Sequence, residues 1–194
     1  ATLAAPVGAK ALILFAHGSG SGRFSPRNNT VARALHQAGF ATLLVDLLTD
    51  PESLAERRGL RRRFDVGLLA ARLAGVVDWL GLRADLSTLP VGLYGSSTGA
   101  AAALEVAALR PSRVFAVVCR GGRVDLAPSV SQVVSPVLLV VGSADDVVLE
   151  LNQQVQPLLA GPSSLVQVPG ATHLFEEPGA LEQVIRHTVR WFSE

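Results

Sequence analysis

Gly95, Ser97 and Gly99 stand at the spacing G-x-S-x-G within "PVGLYGSSTGAAAALEVAALRP". An apolar run precedes them and a helix-forming run follows. That context sets Ser97 on a tight strand-to-helix turn with its hydroxyl presented at the head of a helix. The chemistry this implies is nucleophilic attack on a carbonyl. A serine hydroxyl is a weak nucleophile until a base removes its proton, and that base must be a histidine held by a carboxylate. His173 in "PGATHLF" and Asp145 in "VVGSADDVV" complete the set in the chain order serine, acid, histidine. Ser96 is the rival hydroxyl, but its spacing to the glycines is wrong. Asp146 is the rival acid; Gly142-x-x-Asp selects Asp145 and leaves Asp146 to cap the following helix. His36 and His187 fall in amphipathic segments and are expected at the surface. His17 is expected to hold a loop by hydrogen bonds.

Acyl transfer also needs donors for the developing oxyanion. One is the backbone N–H of Thr98, directly after the nucleophile. The second is expected from the loop "HGSGSGRFSP" (17–26), with Ser19 chosen and Gly18 as the neighbouring alternative. Arg23, Arg27, Arg120 and Arg123 also fall in loops around these residues. Arg23 and Arg120 are candidate contacts for a carboxylate or phosphate on the substrate; ion pairs that fix the loops are the competing role.

These residues need a scaffold that brings distant segments to one edge. Continuous apolar runs at 10–18, 41–49, 90–96, 113–122, 136–146 and 163–173 read as buried strands. Helical patterns follow at 25–39, 63–80, 98–112, 147–159 and 180–194, the first with Ser25 as N-cap and Pro26 at the first helical position. The Pro-broken stretch "RVDLAPSVSQVVS" is expected to be only partly helical. Strands alternating with helices imply a mostly parallel sheet covered on both faces. In such sheets ligands bind beyond the C-terminal ends of the strands. His17, Ser97, Arg120, Asp145 and His173 all fall there.

Composition bounds the rest. A chain of 194 residues, 49% hydrophobic and 17% charged, suits one packed domain spanning 1–194. The formal net charge of +1 gives no reason to expect a nucleic-acid partner. The arginine cluster "ERRGLRRRFD" (56–65) reads as a solvated connection flanked by acids. No apolar run approaches the roughly 18 residues of a bilayer span, and no signal-peptide pattern is present, so a cytoplasmic protein without a membrane partner is expected. The chain contains no Met, so residues preceding Ala1 are expected to be missing. Its one cysteine, Cys119, allows no internal disulfide and is expected to pack as a small apolar residue.

The motifs "FAHGSGSG", "GLYGSSTGAAAAL", "GSADD" and "PGATHLFEEPGALEQV" together resemble the α/β-hydrolase superfamily, and within it the small dienelactone-hydrolase-like branch. That branch includes bacterial hydrolase domains found alone or attached to phosphoribosyltransferases. The resemblance runs from about residue 10 to the end. It implies a serine hydrolase acting on a small-molecule ester through a Ser97–His173–Asp145 triad, with neither metal nor cofactor. Thioesterase or amidase chemistry and a non-catalytic binding module are the alternatives. Two departures stand out. Dienelactone hydrolases carry cysteine in the elbow where this chain has Ser97, and only "TLAAPVGA" remains of the usual opening β-hairpin. Gly121–Ser135 is too short a connection for an inserted cap, so an open site is expected.

Overall fold

The apolar runs form the strands β1 (Thr2–Ala4), β2 (Leu12–Ala16), β3 (Ala41–Leu44), β4 (Val91–Ser96), β5 (Val114–Arg120), β6 (Val137–Gly142) and β7 (Ser163–Val168). The amphipathic segments form α1 (Pro26–Gln37), α2 (Asp50–Glu56), α3 (Val66–Leu82), α4 (Thr98–Leu109), α5 (Asp146–Val155) and α6 (Ala180–Ser193). The computed structural model describes residues 1–56 and 62–194, so the middle of the arginine-rich connection lies outside the described residues. Among the described residues the strands make one seven-stranded sheet in the order β1-β3-β2-β4-β5-β6-β7. All neighbours are parallel except β1, which runs antiparallel to β3 as a short, fully exposed edge.

Both faces of the sheet are covered, which is why the strands are apolar without alternation. In β2, Leu12, Leu14 and Ala16 enter a core with α3 and α4, while Ile13 and Phe15 enter a second core with α1 and α6. Truncating one such side chain, Leu93→Ala for instance, costs about 2–5 kcal/mol through lost burial and the cavity left behind. Helix α4 lies under the sheet centre and is buried on all sides along most of its length. Its alanines let it approach closely, and its one buried carboxylate, Glu105, accepts hydrogen bonds from Ser129 N (2.7 Å) and Oγ (2.9 Å).

Several boundaries differ from the sequence expectation, for local reasons. Strand β3 stops at Leu44, before the expected 49. Beyond it the backbone bonds to side chains: Leu47 N–H donates to His17 Nε2 (2.9 Å), and Leu47 O accepts from Arg72 (2.7 Å). Strand β7 stops at Val168 because Pro169 and Gly170 (φ 68°) turn the chain. Helix α2 was not expected at all. The stretch 121–136 holds two 3-10 turns, Val124–Leu126 and Val130–Gln132, and no inserted domain. Among the described residues no helix is long and apolar enough to cross a membrane.

The chain reverses its direction of travel across the sheet between β2 and β4. The loops leaving these two strands therefore open a crevice between them, and Ser19 and Ser97 lie in those loops.

Candidate active site

Ser97 sits between β4 and α4 with φ 52° and ψ −123°, a region rarely visited by residues with a side chain. The close approach of strand and helix fixes what surrounds it. A Cβ on Gly95 would meet Ala100 Cα at 2.5 Å, and one on Gly99 would overlap the Ala16 carbonyl oxygen. Gly18, on the loop after β2, is equally constrained: its Cβ would lie 2.9 Å from Ser97 Cβ. The glycines at 95 and 99 are thus steric requirements of the turn.

Ser and Asp are strong helix N-caps, and Ser97 and Asp145 occupy the cap positions of α4 and α5. Neither side chain makes a capping bond. Asp145 Oδ2 instead accepts from His173 Nδ1 at 2.6 Å. Asp146, expected as the cap, is the exposed first residue of α5. With its Nδ1 proton held by the carboxylate, the imidazole of His173 has Nε2 left to act as a base.

The loops carrying acid and histidine are joined before that bond is made. Ser143 N–H donates to Val168 O (2.9 Å), Ala144 N–H to Ala171 O (3.0 Å), and Gly170 N–H to Ser143 Oγ (2.8 Å). The histidine loop is closed on itself by Thr172 Oγ1 donating to Glu177 (2.5 Å), which holds that carboxyl below its usual range. Glu176 ties it to α1 through Arg27 (2.8 Å).

The turn after β5 meets all three parts. Ser97 N–H donates to Arg120 O (3.2 Å) and Arg123 N–H donates to Ser97 O (3.0 Å). Gly121, at φ 52°, lies against the His173 ring, where a Cβ would come within 3.4 Å of Nδ1 and Cε1. Asn152 of α5 donates to Gly122 O (2.8 Å) and Val148 O (2.7 Å). Ser97 is thereby related to His173 through the 120–123 turn and not by a direct hydrogen bond. Sequence reasoning took this segment only as a setting for Arg120; the paired Gly121-Gly122 directly after a strand was also the signal for the turn itself.

A cavity of about 430 Å³ lies beside the elbow, lined in part by Gly18, Ser19, Arg23, Phe24, Asp46 and Thr98. Ser19 N–H donates to Thr98 Oγ1 at 3.0 Å. Arg23 forms an ion pair with Asp46 at the rim. Arg120 is 7% exposed; its guanidinium lies 5.6 Å from the Phe175 ring centroid and beside the buried Tyr94 phenol, and its Nε has no hydrogen-bond partner. Arg123 pairs with Asp125 through two bonds, of 2.9 and 2.8 Å.

The remaining titratable groups have structural settings. His17 Nε2 accepts from Leu47 N–H, so its proton is on Nδ1, which donates to Gly18 O (2.9 Å). Burial lowers its pKa and the Gly18 bond opposes this more weakly. His36 is exposed and His187 half-buried. Cys119 is fully buried in the sheet, and burial pushes its thiol up, away from the reactive thiolate. Among the described residues no group of His, Cys, Asp and Glu side chains is arranged to hold a metal ion.

No family model matches the chain. It is 54% identical over 193 residues to a Mycobacterium tuberculosis protein whose name suggests a phosphoribosyl transferase, covering 99% of this chain but only 43% of that one. The chain thus spans less than half the length of that curated relative. The fold matches an α-β serine hydrolase homologue from Coxiella burnetii at 23% identity (TM-score 0.78, covering 97% and 88% of the two chains), a likeness of fold alone. The dienelactone hydrolase of Anabaena variabilis is 52% identical, with a TM-score of 0.96 over 98% of this chain and 89% of that one. With a whole-chain match of this quality, the protein belongs to the dienelactone-hydrolase-like branch of the α/β-hydrolases.

Proposed function

We propose that this hydrolase cleaves small or accessible carboxylic esters through an acyl-enzyme on Ser97, with His173 as general base and acid and Asp145 as its orienting carboxylate. The observation that carries this reading is the 2.6 Å bond between His173 Nδ1 and Asp145 Oδ2, formed by an aspartate that leaves its own helix uncapped. That bond selects the tautomer with Nε2 free and stabilises the imidazolium that forms on proton transfer.

In the first half-reaction His173 Nε2 takes the Ser97 proton as Oγ attacks the ester carbonyl. The oxyanion faces the Thr98 N–H at the start of α4, which has no intrahelical partner, and the positive end of the helix dipole. Collapse breaks the C–O bond, and His173 returns the proton to the departing alcohol. Water then attacks the acyl-serine with His173 again as base; the acyl–Oγ bond breaks, His173 passes the proton to Ser97 Oγ, and the acid is released. The hydrogen bond between nucleophile and base commonly tightens only when substrate is bound. Cys119 does not compete, being buried and disfavoured as a thiolate.

The cavity beside the elbow is the candidate substrate pocket. Arg23, paired with Asp46, stands on its lining and is the better placed of the two arginines to meet an acidic group; Arg120 is buried beside Phe175 and does not line the cavity. Hydrolysis of p-nitrophenyl acetate and butyrate by wild type, Ser97→Ala and His173→Ala tests the reading. Both variants are expected to lose about 10⁴-fold or more in kcat, by similar factors because the groups act as a unit. Near wild-type turnover by Ser97→Ala would mean that another group carries the hydrolysis, and no turnover by folded wild type would leave a non-catalytic module.

A further inference from the structure

The Ser19 N–H, expected as the second oxyanion donor, is already engaged: it donates to Thr98 Oγ1 at 3.0 Å. We propose that the Thr98 hydroxyl is itself an oxyanion donor, with the Ser19 N–H acting behind it to orient and polarise it. This rests on the acyl-enzyme reading of Ser97.

Four features of the site lead there. Gly18 packs so closely that its Cβ would lie 2.9 Å from Ser97 Cβ, so the adjoining Ser19 N–H and its partner Oγ1 border the space around the nucleophile. Thr98 is the first residue of α4 and has no preceding helical carbonyl for the back-bond that helical threonines usually make. Its oxygen accepts from Ser19, which leaves the hydroxyl proton available to a second partner. The residue is 2% exposed, lines the cavity and is β-branched, so the hydroxyl is held in place before substrate arrives.

The chemistry is a two-member chain. As Ser97 Oγ adds to the carbonyl, the electron pair of the C=O bond moves onto oxygen, and Thr98 Oγ1–H donates to that oxyanion without transferring its proton. Accepting from an N–H makes a hydroxyl a better donor. The Thr98 backbone N–H completes the hole from the same residue. The opposite arrangement has the oxyanion displace Oγ1 and bind Ser19 N–H directly. Thr98 Oγ1 would then compete with the transition state. The two arrangements predict effects of opposite sign when the hydroxyl is removed.

Thr98→Val and Thr98→Ser are to be assayed for kcat and KM on p-nitrophenyl butyrate and for inhibition by phenylboronic acid, which forms a tetrahedral anionic adduct on an active serine. Thr98→Ala removes the hydroxyl without bulk and carries the same prediction as Val. Loss of one oxyanion donor is expected to lower kcat about 10²–10³-fold, with KM little changed and boronate affinity falling in step, while Thr98→Ser keeps most of the activity. Unchanged or raised kcat in Thr98→Val overturns the inference. So does a kcat loss that Ser does not rescue and that leaves boronate affinity intact, since that marks a packing role. A fluorophosphonate separates this from the parent reading. A labelled wild type with a fully active Thr98→Val removes only the hydroxyl donor; an unlabelled wild type removes both.

Discussion

His173 Nδ1 and Asp145 Oδ2 lie 2.6 Å apart across loops that three further hydrogen bonds already hold together. Asparagine at 145 keeps the shape but offers an amide that favours the wrong imidazole tautomer. Asp145→Asn is therefore expected to reduce kcat by about 10⁴-fold with little change in melting temperature. Asp146→Asn, at the exposed helix start, is expected to retain nearly full activity. Steady-state kinetics on the pair checks the assignment; the reverse order of effects would move the acid role to Asp146.

Gly121 combines a positive φ with a place beside the imidazole, where an added Cβ would stand 3.4 Å from the ring. Gly121→Ala is expected to cost about 1–2 kcal/mol of stability from the backbone alone. The added methyl would touch the His173 ring at ordinary contact distance, but relief of the backbone strain shifts the turn beneath that ring, so kcat should fall by more than the loss of folded protein explains. Urea titration beside kcat separates the two effects. An alanine variant with unaltered kcat would mean that the turn does not register the histidine.

Arg120 is held under Phe175, two residues beyond His173. If it acts through that loop, Arg120→Met lowers kcat equally for neutral and acidic esters. A direct contact with substrate anions instead lowers kcat/KM for acidic esters selectively, by about 1.5–3 kcal/mol for a charged hydrogen bond. Comparing a p-nitrophenyl monoester of a dicarboxylic acid with its neutral analogue decides between them.

His17 gives the fold a pH dependence. Its Nε2 accepts Leu47 N–H, so protonation sets two N–H groups against each other, and burial already lowers its pKa below 6.5. The unfolded chain then binds the proton more readily than the folded one. The stabilisation is complete above pH 6.5 and is lost as pH falls through that value toward the lowered folded pKa. Urea midpoints of wild type and His17→Asn from pH 8 to pH 5 should converge as pH drops. Curves that diverge on acidification would contradict the neutral imidazole.

The sequence carried the chain order of most strands and helices, the turn at Ser97, and the place of Asp145 and His173 beyond strand ends, because parallel strands are continuous apolar runs and their C-terminal ends are marked by Gly, Ser, Asp and His. Helix α2 was also legible but missed. Thr49 and Glu52 stand at capping-box spacing around Pro51, and Glu52 Oε2 does accept from both Thr49 N–H and Oγ1 (2.9 Å each). What pattern cannot supply is which polar groups find each other across the crevice. The Ser19–Thr98 bond joins residues 79 positions apart, and the Arg120–Phe175 stack depends on a loop conformation with Phe175 at φ 55°. Neither spacing nor propensity encodes such pairings. The arginines show the same limit: Arg123 pairs with Asp125 two residues on, but the acids that pair with Arg23 and Arg27, Asp46 and Glu176, come from loops whose paths only the folded chain defines.

The central claim is that Ser97 is the nucleophile activated by His173 and Asp145. Treating folded protein with a fluorophosphonate and locating the adduct by mass spectrometry tests it most directly. The account predicts one adduct per chain on Ser97, lost in Ser97→Ala and strongly slowed in His173→Ala. An adduct on Ser96 or elsewhere, or labelling that persists in Ser97→Ala, would contradict it.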